Sequence, residues 1–211
     1  MNVTENRPGP AYRIETARLV LRCWEPADAP LLDAAIRASV DHLLPWMPWA
    51  EDEPQPLAAR LALIRRWRGM FDLDQDYVYG VFNPDESAVL GGCGLHTRAG
   101  KSALEIGYWI HADYTGRGLA TELAAALTRA AFEVQSVARV EIHMEPRNHA
   151  SAAIPKKLGY RHIATLPDWT PLPNGGWHSH MLWALVRADY PTSPAAQAET
   201  RAYDAAGERI L

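Results

Sequence analysis

The chain has 211 residues and a formal net charge of −4, with 48% hydrophobic and 22% charged residues. This length and composition indicate one globular domain rather than a disordered chain. The negative charge argues against a protein that coats nucleic acid. The sequence contains no apolar run of about 20 residues, so no membrane-spanning helix is predicted. The N-terminal segment lacks the apolar run of a secretory signal, and two cysteines are too few for a disulfide framework. We therefore expect a cytoplasmic protein.

Hydrophobic periodicity divides the chain into strands and helices. Period-two runs predict strands at about 18–24, 77–82, 89–96, 103–110, 139–144, 160–166 and 178–187. Apolar residues at helical spacing predict helices at about 27–38, 56–71, 118–135 and 150–158. The three strands between 77 and 110 are expected to form an antiparallel meander, and a β-α-β unit follows. The fold class is therefore α+β, with a mixed central β-sheet flanked by helices.

The chain ends differ in composition from the middle. Residues 1–16 are polar and contain two prolines, which predicts a flexible leader. Residues 191–211 are alanine-rich and also contain two prolines, which predicts a C-terminal tail, with a terminal helix near 196–207 as one interpretation. A single domain over residues 17–190 lies between them.

The segment Thr115-Gly116-Arg117-Gly118-Leu119-Ala120 stands between a predicted strand and a predicted helix. Two glycines allow a tight turn, and the helix N-terminus presents free N–H groups and a positive dipole end. This arrangement suits a pyrophosphate. Taken alone, the loop is equally consistent with a glycine-containing connection that binds no ligand.

Two common nucleotide loops fit poorly. A dinucleotide-binding G-x-G-x-x-G loop would have a third glycine where Thr121 stands, although Glu141 lies where a ribose-binding acid would fall. A Walker loop ending at Gly100-Lys101-Ser102 would need a glycine at Leu95 and a helix afterwards, whereas a strand follows. We discard the second and keep a dinucleotide oxidoreductase as a distant alternative.

Four motifs taken together are far more specific than this loop. They are Glu105-Ile106-Gly107-Tyr108-Trp109-Ile110, Gly116-Arg117-Gly118-Leu119-Ala120-Thr121-Glu122, Asn148-His149-Ala150-Ser151 and Lys157-Leu158-Gly159-Tyr160. Over roughly residues 16–190 the chain resembles the GNAT superfamily of acetyl-CoA-dependent N-acetyltransferases, and within it the RimJ/RimL-like branch. The resemblance implies a GNAT-like acyl-CoA N-acyltransferase fold and transfer of an acetyl group to a primary amine by direct attack in a ternary complex.

The resemblance also implies how acetyl-CoA binds. Backbone N–H groups of the glycine loop would hold the pyrophosphate, and the strand edge at Ile110 would pair with the pantetheine arm. Asn148 would contact that arm or position the next helix. The implied cofactor-binding residues are Ile110, Thr115, Gly116, Arg117, Gly118, Leu119, Ala120, Thr121 and Asn148.

The implied chemistry needs a proton acceptor for the amine and a proton donor for the departing thiolate. Pro155 stands where many GNAT members have a donating tyrosine, and Ser151 matches the serine of RimJ/RimL-like members. We assign Ser151 this role, with a helix-capping role as the alternative. Glu105 is our expected base, unless it points to solvent, with Asp168 as second candidate and His111 as third.

Tryptophan is over-represented, with 8 residues. The resemblance places the acceptor beside the loop near 40–50 and the loop 167–180. The candidate acceptor-binding residues are therefore Trp46, Met47, Trp49, Trp169 and Trp177. Packing in a core or a homodimer contact is the alternative for these side chains, whereas Trp24, Trp67, Trp109 and Trp183 are expected to be structural. The acceptor could be a peptide N-terminus, an amino-acid derivative or an aromatic amine.

A second class of function stays open, namely a non-catalytic acyl-CoA or nucleotide-binding module, because the donating tyrosine is missing. His178 and His180 lie on one strand face, but no third ligand is apparent, so no metal is expected. We expect neither nucleic acid nor a membrane as a partner.

Overall fold

The computed structural model describes residues 9–171 and 175–211. The strands are β1 (Arg13–Glu15), β2 (Val20–Cys23), β3 (Tyr77–Phe82), β4 (Val89–His96), β5 (Ala103–Ile110), β6 (Arg139–Met144), β7 (Arg161–Pro171), β8 (Trp177–Val186) and β9 (Arg201–Tyr203). The α-helices are α1 (Ala29–Arg37), α2 (Val40–Leu43), α3 (Leu57–Asp72), α4 (Leu119–Arg129) and α5 (His149–Lys157). A π-helical turn over Ala130–Val134 extends α4.

The nine strands form one mixed sheet in the order β7-β8-β6-β5-β4-β3-β2-β1-β9. Among the strands of the described residues, only β5 and β6 pair in parallel, because α4 connects them and returns the chain to the same end of the sheet. Strands β3, β4 and β5 form the predicted antiparallel meander.

Helices cover the two faces of the sheet, and strand alternation assigns side chains to each. Leu104 and Ile106 of β5 pack with Leu123 and Leu127 of α4 in the larger core. A smaller core forms beneath α1 and α3 on the other face, around Trp24, Leu32, Ile64 and Phe82. Within the described residues, no helix combines the length and apolar character needed to cross a membrane.

Strands β5 and β6 separate part-way along their length. Their pairing ends at Ile106 and Ile142, whereas β5 stays paired with β4 as far as Ile110 and β6 stays paired with β8 as far as Met144. The edge of β5 from Gly107 onward therefore lacks a strand partner among the described residues. We call this opening the β5–β6 gap.

Segments on both sides of the expected domain of residues 17–190 also contribute strands to the sheet. Residues 1–8 lie outside the described residues, but Arg13–Glu15 forms β1 and pairs with both β2 and β9. The helix expected near 196–207 is wrong. A short 3-10 turn over Pro194–Gln197 is followed by β9, because β1 offers an unpaired edge that an extended segment satisfies.

Candidate active site

Two glycines shape the turn that leads from β5 into α4. Gly116 and Gly118 have φ angles of 73° and 78°, which glycine adopts without strain. Gly118 is the N-cap of α4 and offers no capping side chain. In the described part of the chain, the backbone N–H groups of residues 116–120 have no acceptor. These N–H groups and the helix dipole form a site suited to an anion.

Side chains behind this turn hold it in place. Arg18 Nε donates to Glu122 Oε2 at 2.7 Å, and Arg18 Nη1 donates to the carbonyl of Arg117 at 2.9 Å. The Thr16 hydroxyl donates to the other Glu122 oxygen at 2.6 Å. Local sequence patterns do not indicate this anchor, because it joins segments about a hundred residues apart.

Two of the predicted backbone donors are already engaged. The Thr115 N–H donates to the carbonyl of Ala112 at 3.4 Å, and the Thr121 N–H donates to the carbonyl of Gly118 at 3.1 Å. The unengaged donors are therefore the five between them. The strand edge expected at Ile110 lies on β5 beside the β5–β6 gap, with its opposite edge paired to Gly91.

Helix capping and hydroxyl donation were both open for Ser151, and the structure gives the capping role to Asn148. Asn148 is the N-cap of α5, and its Oδ1 accepts from the Ser151 N–H at 3.0 Å. The Ser151 hydroxyl is thereby left for another partner, and its Oγ lies 2.9 Å from the hydroxyl of Tyr108. The capping alternative for the Ser151 side chain is wrong.

Tyr108 was missed as a site residue. It lies on β5 beyond Ile106, so it flanks the β5–β6 gap on the face that α4 and α5 cover. Burial raises the pKa of Tyr108 to about 12, although the hydrogen bond with Ser151 opposes the rise. Its hydroxyl is therefore protonated at neutral pH. The alternation of β5 indicated the face of Tyr108, but only the fold brings it to Ser151.

Glu105 lies on the opposite face of β5 and is 7% exposed, so it does not point freely to solvent. Arg98 donates to both of its carboxylate oxygens, at 2.6 and 2.9 Å. Burial alone would raise the pKa of Glu105, but the hydrogen bonds and charge of Arg98 hold the pKa below its ordinary value. A proton moving to Glu105 would have to compete with this ion pair.

A histidine and an aspartate lie on the same face. His96 ends β4 directly opposite Glu105, and its Nδ1 is 2.9 Å from Asp76 Oδ2. The ring lies over Gly94 and Gly107, which face each other across β4 and β5. These two glycines therefore make room for the imidazole on the surface of the sheet.

The loop between α2 and α3 places Trp49, one of the residues expected to bind the acceptor, on the same face of the sheet as Glu105. Trp49 is 38% exposed, and its ring meets Trp109 of β5 edge-on at a centroid distance of 6.2 Å. Trp46 and Met47 are half-buried beside it in the chain. Trp109, expected to be purely structural, therefore forms a continuous surface with the loop.

A buried ion pair holds this loop on α3. Arg60 and Glu53 have side chains only 3% and 2% exposed and form a direct salt bridge. Arg60 Nε also lies 3.5 Å from Asp33 Oδ1 of α1, which is a close charge contact without a hydrogen bond. Charged side chains are rarely buried unless they are paired, so this cluster fixes the loop.

The loop expected at 167–180 is largely strand. β7 and β8 extend through it as a hairpin with a register shift between Leu166 and Thr170, and residues 172–174 lie outside the described residues. Asp168 has a φ angle of 49°, and its backbone N–H donates to Ser179 Oγ at 3.2 Å. Trp169 and Trp177 are 62% and 55% exposed. β7 is the outermost strand, so Asp168 lies on a different part of the sheet from Glu105.

The remaining histidine candidates have structural partners. His111 Nδ1 accepts from the Asp113 N–H at 3.1 Å and caps a 3-10 turn over Ala112–Tyr114. His180 lies with its ring centroid 6.3 Å from that of His143. Among the described residues, no group of three or more His, Cys, Asp or Glu side chains is arranged to hold a metal ion.

A family model for the acetyltransferase (GNAT) domain matches residues 18–161. The chain belongs to the GNAT acetyltransferase family. The match spans the glycine turn, the β5–β6 gap and the start of β7, so the GNAT domain contains nearly all of the site described above.

Individual relatives agree with this GNAT assignment. The putative ribosomal N-acetyltransferase YdaF of Bacillus subtilis (strain 168) is 26% identical over 174 residues, which are 82% of this chain and 93% of YdaF. Mycobacterium smegmatis RimJ in complex with CoA-disulfide has a TM-score of 0.73 at 23% identity, over 90% of this chain and 91% of RimJ. The microcin C7 self-immunity acetyltransferase MccE, in complex with acetyl-CoA and AMP, has a TM-score of 0.74 at 16% identity, over 81% and 93%. The expected α+β GNAT fold and the resemblance to the RimJ/RimL-like branch are confirmed.

Proposed function

We propose that this GNAT enzyme transfers the acetyl group of acetyl-CoA to a primary amine by direct attack in a ternary complex. The observation that carries the proposal is the β5–β6 gap, which begins at Gly107 between the anion-binding turn of α4 and the hydroxyl pair of Ser151 and Tyr108. Binding and thiolate protonation would thus occur along one side of the sheet.

The residues present fit acetyl-CoA. Five free N–H groups at the N-terminus of α4 can bind a pyrophosphate. The unpaired edge of β5 up to Ile110 can hydrogen-bond the amides of a pantetheine arm, as an added strand would. The structures of MccE with acetyl-CoA and of RimJ with CoA-disulfide support the same assignment here.

Ser151 and Tyr108 would serve the leaving group. The two hydroxyls share one hydrogen bond, and the raised pKa of Tyr108 keeps its proton in place at neutral pH. A thiol has a pKa near ~8.5, below the value of about 12 for Tyr108, so an expelled thiolate would first accept a hydrogen bond from this pair, and exchange with solvent would complete the proton transfer. We assign proton donation to Ser151, with Tyr108 orienting its hydroxyl.

The acceptor would bind on the opposite face, against Trp49, Trp109 and the half-buried Trp46 and Met47. An aromatic surface of this kind suits a peptide N-terminus with an apolar residue or an aromatic amine. The exposed Trp169 and Trp177 could extend it from the hairpin. The name of YdaF, a putative ribosomal N-acetyltransferase, favours the peptide N-terminus.

The test incubates the full chain with acetyl-CoA and a panel of amines, and measures free thiol release and the mass of each amine. The panel contains short peptides with a free Ser, Ala or Met N-terminus, free amino acids, tyramine and tryptamine. A gain of one acetyl group on an amine supports the proposal. Binding of acetyl-CoA, seen as a rise in Tm, without acetylation of any amine would favour the non-catalytic binding module.

A further inference from the structure

The position of the His96 imidazole is set by two glycines. Gly94 of β4 and Gly107 of β5 face each other in the sheet. A Cβ on Gly94 would lie 2.7 Å from both Cε1 and Nε2 of His96, and a Cβ on Gly107 would lie 3.0 Å from Nε2. Any larger residue at either position would push the ring away, so the sheet surface is cleared for this imidazole.

Asp76 fixes the orientation of the ring. Its two carboxylate oxygens lie 2.9 and 3.1 Å from Nδ1 of His96, and both side chains are 17% exposed. A carboxylate at Nδ1 favours the tautomer that carries the proton there, which leaves Nε2 with a free lone pair. Nε2 has no hydrogen-bond partner among the described residues.

The free nitrogen lies where the β5–β6 gap begins. Gly107 is the first residue of β5 beyond its last pair with β6, and Nε2 lies over Gly107. Strand alternation puts Tyr108, and with it Ser151, on the other face. An imidazole and a hydroxyl pair thus flank the gap from opposite faces of the sheet.

The other titratable groups near this face are engaged. Glu105, opposite His96, is bound at both oxygens by Arg98. His143 of β6 has its Nε2 2.8 Å from Glu141 and its Nδ1 3.9 Å from Glu105. His96 differs from them because its partner engages the nitrogen that faces away from the gap.

We propose that His96, oriented by Asp76, is the base that accepts the proton of the acceptor amine. This inference rests on the proposed function. The amine nitrogen forms a bond to the thioester carbonyl carbon, the carbon–sulfur bond breaks, and the electron pair leaves on sulfur. The proton lost by the nitrogen moves to Nε2 of His96, and the thiolate takes a proton from the Ser151 hydroxyl. Solvent then removes the proton from His96 and returns one to Ser151.

The test measures steady-state kinetics with acetyl-CoA and the best acceptor of the amine panel. His96→Ala should lower kcat by about 10²–10⁴-fold, the usual contribution of a general base, with the KM for acetyl-CoA little changed. Added imidazole should restore part of kcat, because the substitution leaves a ring-shaped space above the two glycines. His162→Ala, an exposed site on β7, is the control and should show neither the loss nor the rescue.

Asp76 acts as a positioning residue, so Asp76→Asn should lower kcat without changing the KM for acetyl-CoA, and Asp76→Glu should recover part of the loss. A folded His96→Ala protein with the kcat of the wild type, or with a loss that imidazole does not reduce, would overturn the role of His96 while leaving the proposed function intact. If His96→Ala does not fold, His96→Gln replaces it, and an unchanged kcat there has the same meaning. A wild-type chain that acetylates no amine would overturn the proposed function and the role of His96 with it.

Discussion

Two arginines contact the same carboxylate, Asp33, and should differ greatly in their contribution to stability. Arg37 lies one helical turn away on α1, where its Nε is 2.6 Å from Asp33 Oδ2 and its side chain is 48% exposed. Arg60 lies at 3.5 Å but is only 3% exposed, and it also binds Glu53, whose side chain is 2% exposed. We expect burial, not distance, to decide which substitution destabilises the protein.

The magnitudes follow from what each substitution leaves behind. Arg37→Met removes a solvent-exposed pair on a helix, which is worth about 0.2–1 kcal/mol. Arg60→Met leaves the buried Glu53 carboxylate without its cation, and breaking such a pair destabilises proteins by about 3–5 kcal/mol. In a domain of this size that corresponds to a fall in Tm of roughly 6–20 °C. The double variant Arg60→Met/Glu53→Gln should lose less than the sum of the single variants, since it buries no unpaired charge.

Urea unfolding followed by tryptophan fluorescence, at constant pH and salt, measures these differences in the free energy of unfolding. Arg37→Met is the matched control, because both substitutions remove an arginine from Asp33. Equal losses for the two variants, or an Arg60→Met loss below about 1 kcal/mol, would refute the burial argument. For Arg60→Met we also expect a higher KM for the acceptor amine and an unchanged KM for acetyl-CoA, because Arg60 holds the loop that carries Trp49.

Three further results are expected. Ser151→Ala should lower kcat by about 10²-fold with little change in the KM for acetyl-CoA. The double variant Ser151→Ala/Tyr108→Phe should lose less kcat than the product of the two single losses, because the two hydroxyls act through one hydrogen bond. A double-variant loss equal to that product would contradict this coupling. Gly118→Ala should destabilise the fold by about 1–2 kcal/mol and raise the KM for acetyl-CoA, because alanine is strained in the left-handed region, whereas Gly69→Ala, in open space on α3, should do neither. The folded-state pKa of Glu105 lies below its ordinary value of 4.5, so its charged form contributes stability at neutral pH that is lost as the pH falls through the folded pKa. Glu105→Gln should therefore flatten the acid side of the curve of unfolding free energy against pH, and an unchanged acid slope in urea titrations from pH 7 to 3 would contradict it.

Local patterns predicted those parts of the site that lie close together in the chain. The glycine turn before α4 needs only two glycines and the helix start that follows, and both can be recognised over a few residues. The meander of β3, β4 and β5 was likewise predictable, since short turns join strands of clear period. The confirmed GNAT resemblance used the same local motifs.

The parts that were missed are contacts between distant segments. Tyr108 and Ser151 are 43 residues apart, and Asp76 and His96 are 20 apart. No periodicity within either segment indicates such a contact, because it depends on which strand lies beside which helix. The same reason explains the missed β9, since an alanine-rich segment becomes a strand only when the edge of β1 is available.

The pairing of β1 with β9 also bears on how the protein is made on the ribosome. The Tyr203 hydroxyl and Glu15 approach each other across 188 residues of chain. At about 5–20 residues per second, about 10–40 s pass between the synthesis of these two strands. During that time β1 has a free edge, because the strand that pairs with it has not yet been synthesised. We expect chaperones to stay bound to the nascent chain until β9 has emerged from the ribosome.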